Sequence, residues 1–404
     1  MNTSDFRIAS RVQRIKPSPS SAAADRANEL RQQGHSIINL VVGEPDFDTP
    51  EHICQAAWQA IQQGETRYTH NRGTVALRQA IIDKLARENG LRYGPDEIIV
   101  TNGAKSAIYL ALAATLEAGD DVIIPAPYWV SYPDMVKACD GHPVTVPCPE
   151  SHGFKLQPSQ LDQSITPRTK WLLINSPSNP TGAAYSAAEY RALADVLLQH
   201  PHVMLMTDDI YEHICYGAGG TPHILSVEPR LRSRTLVING VSKTYAMTGW
   251  RVGYAAAPSR LISALGTLQS QASGNCCSVS QAAAIAALTG DQTFVSNSRY
   301  VYQQRRDRTM ALINAIAGLH CAAPEGAFYL YINCAALLGR RAPNGNTLEA
   351  DTDVVMYLLE HAGVAVVAGT AYGLSPYFRM SIATDQKTLD EGCARIATAI
   401  ADLR

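Results

Sequence analysis

The 404-residue chain has no long apolar run, no Cys-x-x-Cys spacing, no His-x-x-x-His pair and no block of like charge. Each absence excludes something. The longest stretch of small apolar residues, Ala282 to Leu288, is far short of the roughly 20 that cross a bilayer, so it reads as buried helix and no membrane span is expected. Nine cysteines, with one adjacent pair at Cys276 and Cys277, suit neither a disulfide framework nor a structural zinc site. A reducing cytoplasm is the expected compartment. The eleven histidines are unpaired in sequence, and no metal is expected. Lysine plus arginine (34) nearly balance aspartate plus glutamate (36), which leaves no electrostatic stripe for nucleic acid. Asp5, Arg7, Arg11, Arg14 and Lys16 stand at the N-terminus with no apolar core between them, so no secretory signal is expected.

What is present is a chain long enough for two or three domains. Thr49-Pro50 is expected to cap a helix whose apolar face is Ile53, Ala57, Ala60 and Ile61 and which Gly64 closes. A second amphipathic helix follows Gly73. Then short apolar runs alternate with helical stretches: Ile98-Ile99-Val100, a helix to Leu116, Val122-Ile123-Ile124, and Trp171 to Ile174. Strands are also read at Val203 to Met206, Thr235 to Ile238 and Val252 to Ala255, with a helix from Ala187 to Gln199. Strands separated by helices imply an α/β fold on a mostly parallel, doubly wound sheet, with ligands bound at the carboxyl ends of its strands. After residue 290 the chain turns helical and more charged, with Arg299, Arg305, Arg306 and Arg308, before an α+β tail. The expected division is an arm that also joins the small domain (1–45), a large domain (46–290) and a smaller α+β domain (291–404).

The segment Ser242 to Arg251 carries the most chemistry. A lysine beside a hydroxyl, followed by small residues and an arginine, can offer a covalent amine next to a cationic phosphate clamp. Alone, Lys243 reads more simply as a solvated side chain. Thr101 to Lys105 follows a strand and opens a helix, where free amides and the positive helix end can hold a phosphate dianion; such glycine-containing starts are also ordinary turns. Pro125 to Trp129 stiffens a loop and aims Trp129 into a cleft, to stack on a flat ring or simply to fill core. In Asn175 to Gly182 a turn holds the Asn179 amide at the mouth of the sheet. Asp208, at a strand end, is costly without a cationic partner. A protonated pyridine nitrogen would be one, and helix capping is the alternative for Asp208 and Asp209.

Together these segments resemble the class I, fold type I aminotransferases, and among them the bacterial aspartate and aspartate/prephenate subgroup. The likeness covers nearly the whole chain and includes Gly43 to Pro50, Pro127 to Pro133, Asn175 to Gly182, Ser242 to Arg251 and Phe378 to Ser381. The resemblance implies a homodimer with shared active sites, and pyridoxal 5'-phosphate held as a Schiff base on Lys243. It implies that Asp208 pairs with the pyridine nitrogen, Tyr211 and Asn179 hold the ring oxygen, and Trp129 stacks on the ring. The helix start Gly103-Ala104-Lys105, with Ser242 and Arg251, would bind the phosphate, and Tyr68 would reach the phosphate of the neighbouring subunit. Arg379 would grip the substrate α-carboxylate with a bidentate fork that a lysine lacks, beside Gly43, Trp129 and Asn179. Freed from the cofactor, Lys243 would act as the base, a step worth ~10²–10⁴-fold.

For substrate, the resemblance assigns Lys105 and Ser20 to the distal carboxylate of a dicarboxylic acid. Aspartate, glutamate, oxaloacetate and 2-oxoglutarate are the expected reactants. The chain departs from the subgroup pattern at Ser20, in the Lys16 to Ser20 prolines, at His70-Asn71-Arg72-Gly73 and at Gly274-Asn275-Cys276-Cys277. These changes would either retune the pocket toward another acidic or a guanidino amino acid or be neutral loop drift; an aminotransferase of the same fold specialised for a prephenate-type or aromatic substrate is a further alternative. A lyase or synthase on the same fold is the other reading; a DNA-binding regulator is disfavoured by the absence of a basic helix-turn-helix segment.

Overall fold

The structure is a computed structural model that describes residues 7–15, 19–217 and 220–404, without the side chains of residues 19–24. A seven-stranded sheet runs in the order Ile98–Thr101, Gly253–Ala256, Thr235–Gly240, Met204–Asp208, Thr169–Asn175, Asp121–Ala126, His142–Pro147. Only Gly253–Ala256 is antiparallel to its neighbours. The apolar runs that mark these strands are continuous because both faces are covered. Leu172 and Ile174 point into one core with Leu205 and Val237, while Trp171 and Leu173 point into another with Met206 and Leu236. The strand expected at Val203 to Met206 is displaced to Met204–Asp208, which puts Asp208 at its last position.

The helix expected after residue 49 is Glu51–Gln62, but two details differ from the sequence reading. Thr49 does not cap it; its hydroxyl donates to the Ala246 carbonyl at 2.7 Å and accepts from Trp250 Nε1, which ties it to the Lys243 segment. Ile61 is 46% exposed rather than in the core. The helix Ala187–Gln199 has the expected bounds and a Ser186/Glu189 capping box.

Toward the C-terminus, Val367–Ala368, Tyr377–Ser381, Tyr329–Asn333 and His320–Cys321 form an antiparallel four-stranded sheet. The helices Thr293–Asn314 and Gln386–Ala401 pack on it through Tyr302, Ile313, Leu389 and Ile396. Ile38–Asn39 pairs in parallel with Val364–Ala365, so the chain before residue 45 is stitched to this C-terminal part. No helix of the described residues is long and apolar enough to cross a membrane.

Candidate active site

The carboxyl ends of the parallel strands and the four-stranded sheet enclose a cavity of about 300 Å³. Strand Met204–Asp208 brings Asp208, and Tyr211 follows one turn later; Thr169–Asn175 leads to Asn179, and Thr235–Gly240 leads to Ser242 and Lys243. Arg379 comes from the opposite side on Tyr377–Ser381, while Val41 and Gly43 arrive from the stretch after Ile38–Asn39. Ala104, Lys105, Trp129 and Arg251 complete the lining named from sequence.

Burial sets the electrostatics. Lys243 donates to the Gly43 carbonyl at 2.6 Å, and its amine, cut off from water and near Arg251 and Arg379, has its pKa pushed down to about 8. Asp208 is buried, and desolvation together with the charge of Asp209 pushes its pKa up to about 6 against the hydrogen bond from Tyr132. The Tyr132 hydroxyl donates to Asp208 Oδ2 at 2.6 Å, and no cation among the described residues forms an ion pair with that carboxylate. Arg379 Nη1 donates to Asn179 Oδ1 at 3.0 Å and Nη2 to the Val41 carbonyl, while its buried Nε has no hydrogen-bond partner.

At the other end of the cavity lies an anion cradle. The helix Ala104–Thr115 starts there with Gly103 at φ 83° before it. A side chain at Gly103 would collide with the Arg251 guanidinium, so the glycine is what admits the arginine to the helix start. The Gly103 amide donates to the Thr101 carbonyl at 2.8 Å, so it is the helix end beyond it and the guanidinium that favour a dianion here. Lys105 Nζ lies 4.6 Å from the centre of the Trp129 ring, its pKa lowered by burial and by Arg251.

Some expected residues lie elsewhere. Tyr68 is 98% exposed and does not line the cavity of its own chain. The side chain of Ser20 lies outside the described residues. His70 and Arg72 do not line the cavity either: His70 Nδ1 accepts from the Arg72 amide, and the Arg72 guanidinium reaches Asp96. Cys276 is buried with its Sγ 3.4 Å from the Arg251 carbonyl. Among the lining residues to which the sequence reading gave no role, Tyr132 and Tyr329 hydrogen-bond to residues it did name, Asp208 and Tyr211. Tyr132 lies three positions after Trp129 in a quoted motif, and that spacing was its only signal. Glu88, Glu212 and His213 have ligand atoms close enough for a metal, but the Lys84 ammonium sits against both glutamates.

The model for aminotransferase class I and II matches residues 35–396. The aspartate aminotransferase of Rhizobium meliloti strain 1021 is 52% identical over 394 residues, covering 98% of this chain and 96% of the relative. The aspartate/prephenate aminotransferase of Cereibacter sphaeroides is 50% identical over 396 residues, covering 98% and 99%. The chain belongs to the class I and II aminotransferases. Among solved structures, the aspartate aminotransferase of Rhizobium meliloti superimposes with a TM-score of 0.97 at 51% identity, covering 99% of this chain and all of the other. That of Thermus thermophilus with maleate gives 0.91 at 39%, covering 97% and 99%.

The protein is thus a pyridoxal-phosphate-dependent transaminase with the α/β fold of that transferase class. The residues of this aminotransferase suit the cofactor. A buried carboxylate without an ion-pair partner matches a pyridinium nitrogen, a depressed lysine amine matches a carbonyl carbon, and the Gly103–Arg251 cradle matches a phosphate.

Proposed function

We propose that this aminotransferase moves the α-amino group between aspartate or glutamate and oxaloacetate or 2-oxoglutarate in ping-pong fashion. One observation carries the reading: Arg379 and Lys105 line the same cavity, and a dicarboxylic acid needs two cations. The relatives named for aspartate support it, and nothing in the site favours a lyase.

Arg379, with an unpaired buried Nε, binds the α-carboxylate, and Gly43 and Trp129 flank it. Lys105 takes the distal carboxylate; Ser20 is proposed beside it. Gly103, Ala104, Ser242 and Arg251 hold the cofactor phosphate, Trp129 covers its ring, Asp208 pairs with its nitrogen, and Asn179 and Tyr211 donate to its oxygen. When bound, pyridoxal phosphate supplies an electron-accepting ring that stabilises the charge left on the substrate Cα. Lys243, tuned toward neutrality by burial, would anchor it covalently and, once displaced by the substrate amine, would take the Cα proton on its freed Nζ.

The working form is proposed to be a cytoplasmic homodimer in which Tyr68 completes the partner's phosphate site. Its full exposure, and that of Trp58 (60%) and Val75 (76%) on flanking segments, supports a covering subunit. The nine free cysteines support a reducing compartment.

The test mixes the purified holoenzyme with single amino acids, without oxo acid, and follows the visible band of the cofactor. Rapid loss with aspartate and glutamate is expected; loss only with alanine or arginine sinks the dicarboxylate reading. Lys105→Met should lower kcat/KM for aspartate by roughly 10²-fold and leave that for alanine nearly unchanged.

A further inference from the structure

The hydroxyl of Tyr329 lies 2.8 Å from that of Tyr211, and both side chains are buried. The bond crosses the cleft, because Tyr329 opens a strand of the four-stranded sheet and Tyr211 follows a strand of the parallel one. The Tyr329 ring lies under the Arg379 guanidinium, 4.4 Å from its centre, and a Cβ at Gly43 would come within 2.8 Å of the hydroxyl. Arg379 and Asp208 are the charged groups facing this pair, and burial raises the pKa of both phenols, so both carry their protons.

A phenol has one proton to give. Once Tyr211 donates to an anionic oxygen in the cavity, its bond to Tyr329 persists only with Tyr329 as donor, and two hydrogen bonds in series polarise each other. We propose that Tyr329 is a positioning residue with two functions: its hydroxyl makes Tyr211 a stronger donor to the cofactor ring oxygen, and its ring face braces Arg379 for the α-carboxylate. The inference rests on the roles proposed above for Tyr211 and Arg379.

Substitution separates the two functions. Tyr329→Phe keeps the ring and removes the hydroxyl; Tyr329→Leu removes both. The pH midpoint of the visible absorbance change of each holoenzyme is titrated, and maleate, an unreactive dicarboxylate, is titrated at fixed pH. A weaker donor to the ring oxygen leaves that anion less stabilised, so Tyr329→Phe should raise the midpoint by roughly a few tenths of a unit. The rise should be smaller than that of Tyr211→Phe and absent when added to it. Maleate should bind Tyr329→Phe as it binds the parent and bind Tyr329→Leu several-fold more weakly. An unmoved midpoint in Tyr329→Phe, a shift that persists in the Tyr211→Phe background, or unchanged maleate affinity in Tyr329→Leu overturns the inference while the assignment of Tyr211 stands. If Tyr211→Phe itself leaves the midpoint in place, that assignment falls and takes the inference with it.

Discussion

A charged Asp208 is costly at neutral pH without the cofactor nitrogen proposed above as its partner. Its folded pKa of about 6 lies above the ordinary carboxylate range, so its ionised form weakens the cofactor-free fold. The penalty is complete above about pH 6 and fades as the pH falls toward 4. A shift of this size is worth on the order of 2–3 kcal/mol. Asp208→Asn should therefore raise the melting temperature of the apoprotein at pH 7.5 but not near pH 4. The same variant should gain less stability from added pyridoxal phosphate and lose activity by on the order of 10²-fold or more. Equal melting temperatures for the two apoproteins at pH 7.5 would mean that the carboxylate is already satisfied. Asp208 and Lys243, which both line the cavity, were singled out only through the ordered set of motifs around them, since each alone reads as a helix cap or a solvated side chain. Tyr132 and Tyr329 were not, since buried tyrosines are common in cores and their partners lie 76 and 118 residues away.

At the scale of elements, the turn that carries Tyr211 is held from behind by a buried charge network. Lys84, 1% exposed on the helix Val75–Asn89, binds Glu212 and Glu88; Glu212 also accepts from Asn89 and Asn239, and His213 bridges Glu88 to Thr244, next to Lys243. Burial opposes charge on all three groups and is outweighed on each: the hydrogen bond with His213 and then the Lys84 ammonium bring Glu88 down to about 2, the Lys84 ammonium chiefly brings Glu212 down to about 2, and Glu212 and Glu88 raise Lys84. The glutamates contribute stability that is whole above about pH 4.5 and is lost as the pH falls toward 2; the lysine contribution is whole below about pH 10 and is lost above it. Lys84→Met removes the ammonium shared by Glu212, whose side chain is 11% exposed, and the more exposed Glu88, and should cost ~3–5 kcal/mol, read as a lower denaturation midpoint at pH 7. The deficit should shrink as those carboxylates are titrated below pH 4.5. A midpoint within error of the parent would show that water already screens the cluster. Elements with continuous apolar runs could be read from sequence because both of their faces are buried. The edge strand His142–Pro147 could not, as it carries two prolines and a mostly uncovered face.

For the whole molecule, the decisive question is which chain supplies Tyr68 to a given cofactor. The sequence carries Tyr68 only as a motif residue, and its exposure on one chain is what a residue acting on another chain requires. Two damaged proteins answer it. Lys243→Ala should be inactive because the covalent amine is gone, and Tyr68→Ala should be weakened through loss of a phosphate hydrogen bond, with cofactor affinity down by roughly tenfold. In a mixed dimer, the site that keeps Lys243 would receive native Tyr68 from the Lys243→Ala chain and be whole, while the other site would carry both lesions. Random reassociation of equal amounts should then give about a quarter of parental activity per chain at low cofactor concentration. If Tyr68 served its own chain, the site with Lys243 would keep the tyrosine lesion and mixing would restore nothing. Light scattering at twice the chain mass must accompany the recovery, since a monomer active at parental rate would refute a shared site whatever the mixing experiment gave.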